Sequence, residues 1–148
     1  RVSMACSVVN RPGRTVANLE EDVGIVTKTQ RDLIPNVANA SALIFERFNN
    51  RTPGSLNWCG FYFAAADGLV LGPFQGKSAV VRIPFDKGIC GRSATQKRTV
   101  IIDNVHDDPE HIACDDASNS EIVVPVYVGE RLVAVLDIDS PNIKNFSP

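Results

Sequence analysis

The chain has 148 residues, four of them cysteines, with 44% hydrophobic residues, 22% charged residues and a formal net charge of −2 at pH 7. This length fits one domain with a buried core, and the composition is that of a globular protein rather than a disordered or fibrous one. The near balance of charge gives no case for a nucleic-acid or membrane-surface protein, and no apolar run approaches the roughly 20 residues that span a bilayer.

The N-terminal third is predicted to hold a tail and two helices. Residues 1–18 are polar and aperiodic, and we expect a flexible segment there, followed by one domain over 19–148. One helix is predicted at about 19–30 and a clearer one at about 32–49, with Pro35 in its first turn. The second helix presents an apolar face at helical spacing, formed by Leu33, Val37, Ala40, Ile44 and Phe48.

The pattern changes to strands after Asn57. Residues 58–63 and 69–74 are β-prone and flank an Asp67-Gly68 turn, which predicts a hairpin. Further strands are expected at 79–83, 99–102, 121–128 and 131–139, with a short helical piece at 93–96. Helices followed by hairpins predict an α+β fold, a central antiparallel sheet with helices packed on one face.

A long polar stretch at 103–120 holds both histidines and Cys114. Loops of this length inside a compact domain are usually functional. The thiolate is the reactive form of cysteine, and the neighbouring Asp115 and Asp116 disfavour it. The residues alone therefore leave Cys114 open as either a reactive thiol or an ordinary one.

The other cysteines are less informative. Cys90 lies between glycines, where it is either a small residue packed at a loop-to-helix junction or a redox thiol. Cys59 is expected in the core, and Cys6 in the tail is expected to have no chemistry. The cysteines show neither C-x-x-C spacing nor a nearby histidine pair, so we expect no metal site and no cofactor.

Three acidic residues form a second candidate group. Asp137 and Asp139 are two apart in an apolar strand and share one face, and Glu121 would lie across from them in a hairpin. Buried carboxylates repel, so one would hold a proton that it could donate, or the group could bind an ammonium. For an isolated pair, strand-end capping is the simpler interpretation. Trp58 and Tyr62 also share a strand face, as core residues or as a ligand wall.

Taken together, these segments follow a recognisable pattern. They are Asn57–Tyr62, Leu71–Lys77, Arg82–Phe85, Lys87–Gly91, His111–Asp115, Ser118–Pro125 and Val135–Pro141. The chain resembles the free methionine-(R)-sulfoxide reductases, which are built on a GAF domain, from about residue 33 to 141. The H-I-A-C-D and S-E-I-V-V-P elements in this order are the most specific. The resemblance implies a GAF-like single domain.

The resemblance also implies an activity, the reduction of free methionine sulfoxide rather than of methionine sulfoxide within proteins. Cys114 matches the nucleophile that attacks the sulfoxide sulfur. The acidic residues that stabilise and protonate the departing oxygen match Glu121, Asp137 and Asp139. The aromatic wall that receives the methyl group and the adjoining substrate-binding positions match Trp58, Tyr62, Ile112 and Ala113.

Recycling of the nucleophile is where this sequence departs from the family. Cys90 matches an accessory cysteine that can exchange disulfides. The family usually has a further cysteine ten residues upstream as the main resolving thiol, and this chain has Val80 there. A smaller departure is Glu110, where the family has glycine before His111. Resolution then falls to Cys90 or to an external thiol, or it does not occur.

The resemblance implies a thioredoxin-like reductant and a homodimer. A reducing thiol mechanism without an apparent export signal predicts a cytoplasmic location. The alternative is a non-catalytic GAF module that binds a small, methionine-like molecule, since fold alone does not settle function. A reductase of peptide-bound sulfoxide fits less well, because an enclosed acidic and aromatic pocket suits a free amino acid.

Overall fold

The structure is a computed structural model that describes residues 19–28, 31–112 and 115–147. The predicted N-terminal segment at 1–18 lies outside these residues, as do Ala113 and Cys114. Within the described part of the chain, no helix has both the length and the apolar character needed to cross a membrane.

In the part of the chain that the structure describes, six strands form one sheet in the order β3-β2-β1-β6-β5-β4, and every neighbouring pair is antiparallel. The elements are α1 (Leu19–Thr27), α2 (Leu33–Arg51), β1 (Trp58–Ala65), β2 (Gly68–Gln75), β3 (Arg82–Ile83), α3 (Gly88–Gln96), β4 (Val100–Ile102), a 3-10 turn (Val105–Asp107), β5 (Ser120–Val128) and β6 (Arg131–Ser140). The predicted α+β class and antiparallel sheet are confirmed.

The helices lie on both faces of the sheet, so the expectation that they pack on one face is wrong. Alternation along β1 sends Tyr62 to one face, where it shares a buried cluster with Ile89 of α3. Phe61 points to the opposite face and packs with Val37 and Ala40 of α2. We call the face that carries Tyr62 the site face.

The misplacement of α3 has a local cause. The prediction put only a short helical piece at 93–96, because the glycines around Cys90 are typical of a loop. The helix instead begins at Gly88, whose φ of +65° suits glycine at the turn into the helix. At Gly91, an added Cβ would lie 2.6 Å from the Pro84 carbonyl oxygen. Glycine there allows close packing of α3 on the preceding turn.

The remaining boundaries differ by a few residues. The first helix ends at Thr27. The strand predicted at 79–83 is short, with only Arg82 and Ile83 in β3, although the N–H of Leu71 donates to the Val81 carbonyl at 3.0 Å. On the opposite face, α1 is tied to α2 by the buried ion pair of Asp22 and Arg47.

Candidate active site

The three predicted acidic residues meet on the site face through strand register. β6 lies between β1 and β5, so Asp139 pairs with Trp58 on one side and Glu121 on the other. Asp137 pairs with Gly60 of β1 in the next row. Each of the three acidic side chains is less than a tenth exposed. The sheet therefore holds the carboxyls together away from bulk water.

Burial sets the protonation of these acidic residues. Desolvation is the main reason why the pKa values of Glu121, Asp137 and Asp139 are well above the usual carboxyl range, and repulsion from a neighbouring carboxylate adds to it. The hydrogen bond between Glu121 and Asp137 raises the pKa of Asp137 and lowers that of Glu121. Two carboxyls can share a hydrogen bond only if one of them carries a proton. The three carboxyls therefore retain protons that they can donate near neutral pH.

Cys90 lies in the first turn of α3 and is a buried free thiol. It hydrogen-bonds to Asp137. Burial, reinforced by the negative charge of Asp137 and Glu121, holds the pKa of the Cys90 thiol well above its ordinary value. The resting side chain is a thiol, and its deprotonation requires a change in the neighbouring carboxyls. The Cys90 sulfur and one carboxyl oxygen each of Glu121 and Asp137 lie within 4.8 Å of one another, so these residues could also hold a metal ion.

His111 places an imidazole, which can act as a base, beside this group. Its Nδ1 atom lies 3.3 Å from Oε2 of Glu121, in an orientation that forms no hydrogen bond. Burial lowers the pKa of His111, and the charge of Asp108 offsets this in part. The imidazole is therefore neutral near pH 7. His106 hydrogen-bonds instead to Asn119 at 2.8 Å in an exposed position.

Aromatic rings on the neighbouring strand β1 line the cavity beside the acidic residues. The rings of Trp58 and Tyr62 stack with centroids 5.9 Å apart, and Phe74 stacks on the other side of Trp58 at 5.2 Å. The indole N–H donates to the carbonyl of Lys77 and the Tyr62 hydroxyl to that of Val80, both at 3.0 Å. These bonds fix the orientation of both rings. The two residues lie on the same face of β1, as their spacing in the sequence predicts.

Gly60 is needed for this wall. A Cβ atom at Gly60 would lie 2.6 Å from the Trp58 ring and 2.3 Å from the Cβ of Phe74. The indole therefore lies directly over the Gly60 backbone, in the row that also contains Asp137. Glycine at this position lets the ring and the acidic residue share one cavity.

All described residues of the predicted site line one cavity on the site face. Its lining is Trp58, Tyr62, Ala79, Ile83, Gly88, Ile89, Cys90, His111, Ile112, Asp115, Ser118, Glu121, Asp137 and Asp139. Ala113 and Cys114 lie outside the described residues, and their neighbours Ile112 and Asp115 both line the cavity. An added Cβ at Gly88 would lie 3.0 Å from Cδ1 of Ile112, so this part of the loop packs closely on the start of α3.

A polar network at the cavity rim was not predicted. Asp115 accepts a hydrogen bond from Nζ of Lys77 at 2.9 Å and from the N–H of Ala117 at 3.0 Å. The bond from Lys77 is the main reason why the pKa of Asp115 is lowered. Asn57 donates to Ser118 at 2.8 Å, and Ser118 bonds to Asp139. Lys77 and Asp115 were visible only as members of separate motifs, and their long separation in sequence carries no pairing signal.

Arg92 of α3 connects the helix to the loop before His111. Its guanidinium donates to Oδ1 of Asp108 at 2.7 Å and lies 3.3 Å from Glu110. The same Asp108 oxygen accepts the N–H of Glu110 at 3.0 Å, and the Asp108 carbonyl accepts the N–H of His111 at 3.2 Å. The loop is thus positioned by the helix that carries Cys90. Glu110, a departure from the family pattern, takes part in this connection.

Comparison with known proteins places this site in a family. The GAF domain family matches residues 36–148. The free methionine-R-sulfoxide reductase of Escherichia coli is 44% identical over 131 residues, which cover 88% of this chain and 76% of that protein. The chain belongs to the free methionine-(R)-sulfoxide reductase family of GAF-domain proteins.

Solved structures agree with this family. The free methionine-R-sulfoxide reductase of Neisseria meningitidis, solved in complex with its substrate, has a TM-score of 0.82 and 34% identity, covering 99% of this chain and 81% of that one. The fRMsr of Staphylococcus aureus, also in complex with substrate, has a TM-score of 0.78 and 38% identity, covering 88% and 82%. The predicted reductase family and GAF-like fold are confirmed.

Proposed function

We propose that the protein reduces free L-methionine (R)-S-oxide to L-methionine with electrons from thiols. Its relatives that are named free methionine-R-sulfoxide reductases support this choice of substrate. The observation that carries the proposal is that buried acidic residues and the rings of Trp58 and Tyr62 line one cavity. Ile112 and Asp115, which flank the segment with Cys114 in sequence, line the same cavity. An enclosed cavity of this kind suits an amino acid better than a polypeptide chain.

The acidic residues supply the proton that sulfoxide reduction needs. Cys114 attacks the sulfoxide sulfur while a carboxyl of the Glu121, Asp137 and Asp139 group donates its proton to the oxygen. The carboxylate regains a proton as the Cys114 thiol loses its own. The hydroxyl then passes from the substrate sulfur to the Cys114 sulfur as the bond between the two sulfurs breaks. The substrate leaves as the thioether, and the oxygen remains as a sulfenic acid on Cys114. Sulfur in the substrate is reduced by two electrons and Cys114 is oxidised by two.

Cys90 is the resolving thiol in this proposal. Its sulfur attacks the sulfenic acid, forms a disulfide with Cys114 and releases water. The hydrogen bond to Asp137 supports this role, because Asp137 can give its proton to the leaving hydroxyl and take up the proton of Cys90 in its place. A thioredoxin-like dithiol then reduces the disulfide by exchange. Val80 does not take part, except that its carbonyl anchors Tyr62.

The nucleophile is tested by Cys114→Ser. Consumption of the free R epimer with excess dithiothreitol should fall at least about a thousandfold, because the hydroxyl is a far weaker nucleophile. Cys59→Ala is the matched control, since Cys59 is buried on the opposite face and should leave the rate unchanged. An unchanged rate in Cys114→Ser would overturn the assignment. Binding of methionine without turnover by the unmodified protein would instead favour the non-catalytic GAF module.

Cys90→Ser tests recycling separately from the first step. With thioredoxin as the reductant, multiple turnover should be lost, because no disulfide can form for exchange. With dithiothreitol, the small thiol can attack the sulfenic acid directly and activity should persist. Equal activity of the variant and the parent protein with both reductants would show that Cys90 does not resolve. The homodimer and the cytoplasmic location stay predictions.

A further inference from the structure

We propose that the candidate site is also a binding site for a thiophilic divalent cation, with Zn²⁺ as the best match. The ligands would be the sulfur of Cys90 and carboxyl oxygens of Glu121 and Asp137, with the imidazole of His111 as a fourth. The cation would occupy the cavity that is proposed to take the substrate, and would therefore exclude it. The binding itself does not depend on the proposed reaction.

The donor atoms already lie close together. The Cys90 sulfur and the two carboxyl oxygens are all within 4.8 Å of one another. Nδ1 of His111 is 3.3 Å from Oε2 of Glu121. In tetrahedral zinc sites, bond lengths of about 2.0–2.3 Å place ligand atoms about 3.5 Å apart. Small side-chain movements would therefore complete a site with one sulfur, one nitrogen and two oxygen ligands.

Buried polar atoms without hydrogen-bond partners also support a cation site. Oδ1 of Asp137 is buried and has no hydrogen-bond partner among the described residues, and the same holds for Nδ1 of His111. Asp137 is only 8% exposed and lines the cavity. A buried oxygen without a partner is costly, and a cation would satisfy it. A lone group of acidic residues would favour Mg²⁺ or Ca²⁺, whereas the thiol and imidazole favour Zn²⁺.

Charge balance is consistent with this choice. The carboxyls of Glu121, Asp137 and Asp139 lie close together on one sheet face and would repel one another if all were charged. Zn²⁺ would replace the proton of Cys90 and those of the carboxyls, and its two positive charges would remove the repulsion between them. Binding should therefore release protons and weaken as the pH falls. Lys77 and Arg92 form ion pairs with Asp115 and Asp108 at the rim.

The experiment is an anaerobic titration of the reduced protein with Co²⁺, which reports its ligands through colour. A thiolate-to-cobalt charge-transfer band should appear, and Zn²⁺ should abolish it by displacement. Cys114→Ser should keep the band, Cys90→Ser should lose it, and Cys59→Ala is a matched control that should keep it. Asp137→Asn should weaken binding at least about tenfold, since it removes one charged ligand.

Two results would overturn the proposal. One is the lack of a thiolate band in the unmodified protein at millimolar Co²⁺. The other is a band that survives Cys90→Ser and disappears in Cys114→Ser, which would place the cation on the other cysteine. Thermal unfolding of each variant without metal shows whether it is folded. Since no step of the titration requires sulfoxide reduction, its outcome is separate from that of the activity tests.

Discussion

Asp137 is the residue in which several properties of the site meet. It pairs in register with Gly60, bonds to the thiol of Cys90 and to Glu121, and keeps one oxygen without a partner among the described atoms. Its carboxyl is thus placed both to donate a proton to a ligand and to receive one from the thiol. A neutral amide in the same shape would remove both abilities with little change in volume.

Asp137→Asn should therefore lower sulfoxide reduction by about 10²- to 10⁴-fold, the usual contribution of a general acid. The pH dependence of stability should change as well. The pKa of Asp137 is raised in the folded state, so above the usual carboxyl range the unfolded chain loses a proton that the folded chain keeps. The free energy of unfolding of the parent protein then falls as the pH rises, and in the variant it should fall less steeply.

Urea denaturation from pH 5 to pH 8 measures this difference. Asp67→Asn is the control, because Asp67 is exposed on the β1–β2 turn and forms only a surface ion pair with Arg82. Parallel stability curves for Asp137→Asn and the parent protein would show that burial does not perturb this carboxyl. Unchanged turnover would assign the proton transfer to Glu121 or Asp139 instead.

At the scale of elements, α3 carries Cys90, the proposed resolving thiol, and holds the loop that precedes Cys114 in sequence. Arg92 makes this connection through Asp108, and both side chains are largely buried, at 22% and 12% exposure. Its guanidinium is the main cause of the lowered pKa of Asp108. The stabilisation by this pair is therefore present at neutral pH and is lost as the pH falls through the lowered pKa.

Arg92→Gln should lower the free energy of unfolding by about 1–2 kcal/mol, between the values for exposed ion pairs and for buried charged hydrogen bonds. We also expect kcat/KM for the sulfoxide to fall about 10- to 100-fold, because the loop is less well positioned. Arg82→Gln breaks an exposed pair with Asp67 and is the matched control, expected to cost less than about 0.5 kcal/mol. Equal effects of the two variants on kcat/KM would contradict a positioning role.

The period of two along strands accounts for most of what the sequence could predict. It placed Trp58 with Tyr62 and Asp137 with Asp139, and the hairpin put Glu121 opposite Asp139 in the observed register. The strands that bring these groups together have strong local patterns. The sequence therefore predicted which acidic and aromatic residues share a strand face, but not the loop and helix that surround them.

The loop and α3 could not be predicted in this way. Residues 103–120 have no periodicity, and their contacts with Arg92 and Lys77 join segments far apart in the chain. The glycines at the start of α3 favoured a loop in the prediction. In the folded molecule they allow close packing against Pro84 and Ile112, and these contacts cannot be read from the local sequence. Long-range polar contacts of this kind depend on the final geometry and leave no local pattern.

For the whole molecule, the sheet separates two buried regions. One lines the proposed active site, and the other is an apolar core. The site face holds the cavity and α3, and the opposite face packs α2 against apolar residues of β1 and β6. Ile44 belongs to the opposite face with Leu56 and Ile138. Stability and chemistry should therefore respond separately to changes on the two faces.

Ile44→Ala should lower the free energy of unfolding by about 2–4 kcal/mol, as expected for a buried aliphatic side chain, and leave kcat within about twofold while the protein stays folded. Ile89→Ala is the matched substitution on the site face. Ile89 lines the cavity, so this variant should lose both stability and activity. Chemical denaturation and sulfoxide turnover at a temperature well below unfolding measure the two effects. A large fall in kcat for Ile44→Ala would show that the sheet transmits changes between its faces.

The two unlike walls of the cavity have a consequence for handedness. A sulfoxide sulfur carries an oxygen, a methyl group, the longer carbon chain and a lone pair, so it is a stereocentre. The acidic residues line one part of the cavity and the stacked rings another, so an oxygen directed to the carboxyls and a methyl group directed to the rings fix two of its substituents. The approach of a sulfur nucleophile from a third direction then suits one mirror image only. In the opposite epimer, either the oxygen would face the rings or the methyl group would face the carboxyls.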